Sequence, residues 1–507
     1  MGETKQLAIN TFILYFRMIA LMAVSFFTVR IVLNALGESD YGVFSVVGGL
    51  VATFTLFSNS LTTSSTRFHS YGIGLGSQQH LRNIFATNLT IHIVISLVIL
   101  LIIETAGVWF LDNKMNIPDG SLKGANWVLQ CTTISFIIGV AVVPYNSAII
   151  AHEKMNAFAY LTFVDIAFKL FNALFIYFYV GNKLIAYAIL TLISGITTQV
   201  FYIIYCKRHF CECHFSLIWD SALIKKVFSF SSWNFIGASS GVLRDQGVNI
   251  LLNLFYGTIV NAARGIAMQV NGAVSSFVNN FMVALTPRII KKYAKKEYNQ
   301  ACKLVFSGAR MSYSLLLFLA LPIILEAPLI LKLWLGLVPE YTTVFVRLIL
   351  IYSLTESVSH TMVTLMLATG NIRNYQILVG GCQCLNFPIA YLLLKMGMSP
   401  ESPIVLAIII SICCLVLRLI MLRRVVNFPV RKFIIDVLLR MSLVTIVASL
   451  FPIIIFRFIS DGIPGLIAVV TICICSTGLA VLFIGCKQNE RRKIFSTIKY
   501  KISGFAH

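Results

Sequence analysis

The residues of greatest chemical potential in this chain are cations set inside stretches that are otherwise apolar. Arg17, Arg30, Lys169, Arg244, Arg264, Arg310, Arg347, Arg418 and Arg440 all interrupt long runs of Leu, Ile, Val and Phe. A charge at the centre of a membrane helix costs about 2.5 to 3.5 kcal/mol on insertion scales, so the whole set facing lipid would cost on the order of 25 kcal/mol. These side chains must therefore be paired, snorkel to an interface, or line a wet cavity. Arg310, Arg418 and Arg440 fall near helix ends and are expected to snorkel. Lys169 follows Asp165 by one helical turn, which predicts an ion pair. Arg17, Arg30, Arg244 and Arg264 have no such outlet and are the candidates for a cationic lining. A planar guanidinium forks onto phosphate oxygens, so the ligand that suits such a lining is an anion, and a phosphate-bearing amphiphile above all.

Polar neighbours strengthen this reading. Asn261, Arg264, Asn271, Ser275 and Asn279 fall within an arc of about 80° on a helical wheel. Ser353, Glu356, Ser357 and His360 form a comparable stripe, and SNSLTTSSTR from Ser58 is a third. Helix packing through small polar residues explains any one stripe; their coincidence with buried arginines favours a water-filled interior. Carboxylates are scarce at this depth, the main ones being Glu104, Asp245, Glu326 and Glu356. Asp245 beside Arg244 reads as a counter-charge or as an ion-coupling group. Glu356 with His360 at i, i+4 reads as a proton relay or, more simply, as a hydrogen-bonded packing pair. Asp245, Glu356 and His360 are thus the candidates for ion coupling.

What must position these residues is a membrane. The composition is 58% hydrophobic and only 12% charged, with a mean hydropathy of +0.86, which is incompatible with a soluble surface. With about 20 apolar residues per crossing, spans fall at 7–33, 42–66, 84–110, 125–150, 158–179, 184–206, 227–253, 258–287, 304–331, 341–368, 376–395, 403–424, 435–457 and 463–486. This is an all-α polytopic membrane protein of about 14 transmembrane helices; runs such as IHIVISLVILLII from Ile91 lack the alternation of barrel strands. Pro144, Pro322, Pro388 and Pro452 lie inside spans and are expected to kink them.

Basic residues collect on one side of these spans: Arg67, Lys154, Lys207, Arg208, Lys225, Lys226, Arg288, Lys291, Lys292, Arg423, Arg424 and the tail from Lys487. The other side has little beyond Lys114, Lys123, Lys183, Lys332, Lys395 and Arg457. The asymmetry places both termini in the cytoplasm. It also explains the net charge of +21 as a rim on the anionic inner leaflet, without nucleic acid as a partner. The first helix, with no convincing cleavage site, reads as an uncleaved span. The cysteines fall in spans or near their inner ends, which argues against a disulfide framework. Cys211, Cys213 and His214 form a CECH cluster, but without a second ligand pair it makes no metal site.

A repeat organises the chain. IVLNALG ending at Gly37 resembles ILLNLFYG ending at Gly257, each closing the first helix of a six-helix half. This gives an N-terminal lobe over 1–206, a cytoplasmic linker over 207–226, a second lobe over 227–424 in parallel pseudo-repeat, and two further helices with a basic cytoplasmic tail over 425–507. Two such lobes are a common way to build alternating access. Loops on the outer side are short, and YGIGLG from Tyr71 has no strand before it and cradles no phosphate, so an enzyme and its cofactors are not expected.

Several segments resemble one family. RMIALMAVSFFTVRIVLNALGESDYGVFSVVGGL near the start, TRFHSYGIG and VPYNSAIIAHEKM are similar to polysaccharide flippases of the O-antigen type, within the multidrug, oligosaccharidyl-lipid and polysaccharide exporter superfamily. The likeness covers about the whole length, and the first half is most similar to members from Bacteroides-type bacteria. The resemblance implies a two-lobed, V-shaped bundle of the MATE kind in a bacterial inner membrane. It implies a function as well: moving an undecaprenyl-diphosphate-linked oligosaccharide, an O-antigen or capsular repeat unit, from the inner to the outer leaflet. Basic residues of the cavity would meet the diphosphate, a role that Arg17, Arg30, Arg244 and Arg264 fit by position. It further implies a polysaccharide polymerase and a chain-length regulator as partners. The alternative on the same fold is a multidrug or cation antiporter, which would prefer carboxylates and aromatics to arginines.

Overall fold

The computed structural model describes residues 3–114, 121–214, 220–456, 462–487 and 491. The far end of the basic tail therefore lies outside the described residues. Among those described, the chain is helical nearly throughout and has no strand. In chain order the helices are α1 (Glu3–Ala52), α2 (Thr55–Leu75), α3 (Gln78–Ile102, prolonged by a π-turn and a last segment to Lys114), α4 (Leu122–Ala151), α5 (Met155–Phe178), α6 (Lys183–His209) and α7 (Ser221–Ala294). They continue with α8 (Tyr298–Leu325), α9 (Ala327–Leu335), α10 (Thr342–Thr369), α11 (Arg373–Lys395), α12 (Ser402–Val426), α13 (Val430–Ile455) and α14 (Ile463–Gly485).

Eleven helices among the described residues are long and apolar enough to cross a membrane, and the pair Asp40–Val51 and Thr55–Leu75, bent by 48°, makes a twelfth. The segments of α7 on either side of Gly257 have the length to cross as well but are too polar to pass on composition. With them the number of helical passes agrees with the sequence reading. The helices outrun their apolar windows because polar caps start them early. Asp220 accepts hydrogen bonds from the Ala222 and Leu223 amides, so α7 begins before the expected position 227. Ser77 and Asn182 cap α3 and α6 in the same way.

The repeat has a conformational counterpart. Gly37 interrupts α1 at φ 80°, ψ 167°, and Gly257 interrupts α7 at φ 79°, ψ −169°. This region is accessible essentially to glycine alone. A Cβ at either position would meet nothing within 4 Å, so the requirement lies in the backbone and not in space. Gly37→Ala and Gly257→Ala should each cost about 1 to 3 kcal/mol. The check is a thermal unfolding midpoint in detergent, where an unchanged value in both variants would contradict it.

The chain divides into two compact units, Met1–Ala238 with Val283–Glu297 and Leu367–Arg373, and Ser239–Met282 with Tyr298–Met366 and Asn374–His507. In the first unit, Val43 and Val47 of α1 pack with Ile99 of α3, Val128 and Leu129 of α4 and Leu184 of α6. A second cluster joins Phe85, Tyr145, Ile149 and Tyr202. In the second unit, Phe306, Phe428 and Phe433 form a ring trio with centroids 5.4 to 5.5 Å apart. There Ser476 of α14 donates to the Ala448 carbonyl of α13 at 2.8 Å.

Candidate functional site: a cationic polar cluster

Helices α7, α10, α11 and α12 of the second unit meet at a polar cluster within otherwise apolar sequence. Arg244 forks onto Asp245, Nε to Oδ1 at 2.9 Å and Nη2 to Oδ2 at 3.0 Å. Its Nη1 donates to the Tyr352 hydroxyl, and the guanidinium stands 5.1 Å from that ring's centroid. Glu356 accepts from Ser411 Oγ at 2.6 Å, with Arg418 Nη1 3.7 Å away. Arg418 Nε reaches the Tyr375 hydroxyl at 3.4 Å. Asn271 Oδ1 accepts from Ser353 at 2.6 Å and from Ser275 at 3.2 Å. Asp245 thus offsets the charge of Arg244 through two hydrogen bonds, whereas Arg418 Nη1 is near Glu356 without a hydrogen bond.

Arg264 is different. It is only 7% exposed, and Nη1 donates to Asn249 Oδ1 at 3.0 Å, while Nε is buried with no partner. Asn261, one helical turn before it, also buries an unpartnered Oδ1. Arg244, Arg264 and Arg418 face Asp245 and Glu356, so the cluster holds one cation in excess. A buried guanidinium without a carboxylate of its own is costly to keep, and an incoming anion would relieve that cost.

The second-half candidates Arg244, Asp245, Arg264, Asn271, Glu356 and His360 thus gather in one unit, His360 lying within electrostatic range of Glu356 and Arg418. The first-half candidates sit in the other unit. Arg17 lies over the Phe158 ring, 4.3 Å from its centroid, with Nη1 3.5 Å from Thr162 Oγ1. Arg30 lies on an exposed face of α1.

Several side chains differ from expectation. Arg418, expected to snorkel, is 3% exposed and belongs to the cluster. Arg310 is buried as well. Arg67, assigned by sequence to the basic rim, is buried among the Phe68, Tyr71 and Phe230 rings and donates to the Ala368 carbonyl at 3.0 Å. α2 runs on to Leu75 and α8 starts back at Tyr298, so Arg67 and Arg310 are interior, whereas α12 nearly matches its expected span and Arg418 is buried beside Tyr375 and Glu356 of other helices. Lys169 pairs with Asp165 at 2.8 Å, as its spacing predicts. Arg347 donates to the terminal carbonyls of α8, Nε to Ile324 O at 2.9 Å, and so closes a helix end.

The first unit has its own charged constellation at the basic ends of its helices. Glu153, in a left-handed turn at φ 60°, receives Arg288 Nε and Lys291 Nζ at 2.9 Å each. Sequence segments far apart in the repeat, the α4–α5 turn and the end of α7, are tied there. Nearby, His152 Nε2 lies 2.5 Å from Glu212 Oε1. No group of three metal ligands occurs among the described residues; the informative member of the CECH cluster is its glutamate. Burial alone would raise the Glu212 carboxyl, but the His152 hydrogen bond and its own backbone amide outweigh it and hold the group below its ordinary range. The stabilisation is full above that range, near 4.5, and is lost as pH falls through the lower folded value. Unfolding midpoints of wild type and Glu212→Gln should therefore differ at neutral pH and draw together in acid, well below the ordinary carboxyl range. Midpoints that stay equally far apart at both pH values would contradict this.

The sequence matches no family model and no curated protein. Solved structures do resemble it. A MATE transporter in its bent conformation has a TM-score of 0.71 at 11% identity, covering 83% of this chain and 96% of its own. The MATE transporter ClbM in complex with Rb+ has a TM-score of 0.71 at 13% identity, covering 84% and 96%. A transporter of the MOP superfamily from Pyrococcus furiosus, described as having a binding pocket of reversed polarity, has a TM-score of 0.68 at 11% identity, covering 84% and 96%. At these identities the likeness establishes the architecture: this chain is a multi-pass membrane protein with the helical fold of the MATE transporters of the MOP superfamily.

Proposed function

We propose that the chain is an exporter that flips an undecaprenyl-diphosphate-linked oligosaccharide from the inner to the outer leaflet of a bacterial inner membrane. Alternating access driven by an ion gradient moves the cargo. The observation that carries this reading is Arg264, a buried guanidinium with no carboxylate of its own in a cluster that is net positive. The diphosphate is held by Arg264 and Arg244 of the second unit; Arg17 and Arg30 are the cationic candidates of the first unit. Asn261 and Asn271 offer amides to the sugar. Asp245, Glu356 and His360 are the groups through which an ion would act on the cluster. The orientation from the basic loops, with both termini cytoplasmic, presents the cationic rim to the leaflet where such a substrate is made. A polymerase and a chain-length regulator are the expected partners.

The second reading, a multidrug or cation antiporter, rests on the shared fold. A cationic substrate needs a free carboxylate, and here Asp245 is forked onto Arg244 while Glu356 faces Arg418 and Ser411. The deciding experiment removes Arg17, Arg244 and Arg264 together in cells. The flippase reading expects surface polysaccharide to be lost at normal protein levels; unchanged polysaccharide with the triple variant in the membrane would sink it.

A further inference from the structure

The first unit buries a second polar region that anion binding does not use. Ser65 and His69 on α2, and Thr87, Asn88 and His92 on α3, are each at most 1% exposed. Their side chains are far from satisfied: the Ser65 and Thr87 hydroxyls and both amide atoms of Asn88 have no hydrogen-bond partner. The two imidazoles show why this matters. His69 Nδ1 lies 2.8 Å from the Ser65 carbonyl and His92 Nδ1 2.7 Å from the Asn88 carbonyl. A carbonyl only accepts, so each neutral ring carries its hydrogen on Nδ1 and presents a bare lone pair at Nε2. Both Nε2 atoms are buried with no partner. Nitrogen lone pairs suit a proton, whereas alkali and alkaline-earth cations take cages of oxygens.

A connected series of titratable groups leads to this place. His152 is 26% exposed and contacts Glu212, which is 2% exposed. His69 lies within electrostatic range of both, and His92 within range of His69. Behind His69, the Phe85 ring stands between it and Tyr145 of α4, with Cys206 and Cys213 beside that tyrosine. Arg67, on the same helix, turns away to the Ala368 carbonyl. Among the described residues, Glu212 is the carboxylate within electrostatic range of His69, and His92 is reached through His69.

We propose that His69 and His92 form a proton-binding site inside the first unit, loaded through His152 and Glu212 from the basic end of the helices. Loading places one proton on an Nε2 lone pair, leaves the Nδ1 hydrogen on its carbonyl, and offsets the imidazolium with the Glu212 carboxylate. This rests on the transport reading and deepens it by naming the proton as the coupling ion.

The test needs neither substrate nor transport, so its failure would leave the export reading standing with another ion. Full-length protein in nanodiscs, labelled with ¹⁵N-histidine, is followed by solid-state NMR from pH 8.5 to about pH 3.5. At pH 8.5 two signals of the uncommon Nδ1–H tautomer are expected, assigned by their loss in His69→Gln and His92→Gln. At least one becomes imidazolium only as the pH is carried on below about 5 towards about 3.5, because burial opposes the charge, and in Glu212→Gln its proton affinity falls on the order of tenfold. Should the histidine variants not fold, titration of wild type against Glu212→Gln decides alone. Signals that stay neutral to about pH 3.5, or a transition that Glu212→Gln leaves unmoved, would overturn the proposal.

Discussion

Alanine at Arg264 should weaken binding of a polyprenyl diphosphate by about ten- to a hundredfold, because each hydrogen bond to a charged group contributes about 1.5 to 3 kcal/mol. The same substitution should leave the empty protein as stable as wild type, or more so. Arg264 is buried without a carboxylate of its own, and removing an uncompensated buried charge relieves a penalty. Opposite effects on ligand affinity and on stability are the signature of a binding group; a structural arginine would lose both. Arg264→Lys keeps the charge but not the planar fork, and should recover only part of the affinity. Arg418→Ala makes the contrast, since Arg418 is 3% exposed and stands by Glu356. Its loss leaves a partly buried carboxylate to Ser411 alone and should destabilise by about 3 kcal/mol. Binding isotherms and unfolding midpoints on the same preparations separate the two behaviours.

Glu153→Gln should have the largest conformational effect. Glu153 binds Arg288 and Lys291 together, each at 2.9 Å, and all three side chains are less than a fifth exposed. Two charge-assisted bonds of this kind are worth about 3 kcal/mol together, which corresponds to a shift of about a hundredfold in the balance between tied and released ends. A glutamine keeps the size and one acceptor but not the charge that holds two cations. A cysteine-reactive label at Arg288→Cys or a distance probe between positions 153 and 288 would not serve, since each removes a partner. Protease or hydrogen-exchange protection of the 283–297 segment reads the release directly. Protection equal to wild type would show that the tie at Glu153 does not hold this end.

Much of this architecture was legible in the sequence because lipid imposes a simple ruler. Helix existence follows from apolar length, and the paired interruptions at Gly37 and Gly257 follow from a repeat visible in a handful of residues. Helix ends were less legible. A hydropathy window stops where polar residues begin, while caps such as Asp220 and Ser77 carry the helix on. The extension of α2 to Leu75 explains why Arg67 looks like a rim residue in sequence and is interior in the structure; Arg418 is interior because Tyr375 and Glu356 of other helices pack beside it. The cluster in the second unit was readable from intramembrane arginines and their polar stripes. Tyr352 and Tyr375 were not, because an aromatic ring in a membrane helix gives no sign in sequence of where its hydroxyl points. Glu212 was hidden for another reason: its partner His152 is distant in sequence, and the cysteines around it suggest metal chemistry instead.

The most direct measurement of the central claim is a flipping assay in proteoliposomes holding wild type, Arg244→Ala or Arg264→Ala with a polyprenyl-diphosphate oligosaccharide. The account predicts movement of the lipid-linked sugar by wild type under an ion gradient and its loss in either folded variant. A folded wild type that moves no such lipid across several glycans and under either a proton or a sodium gradient, yet exports organic cations, would contradict it.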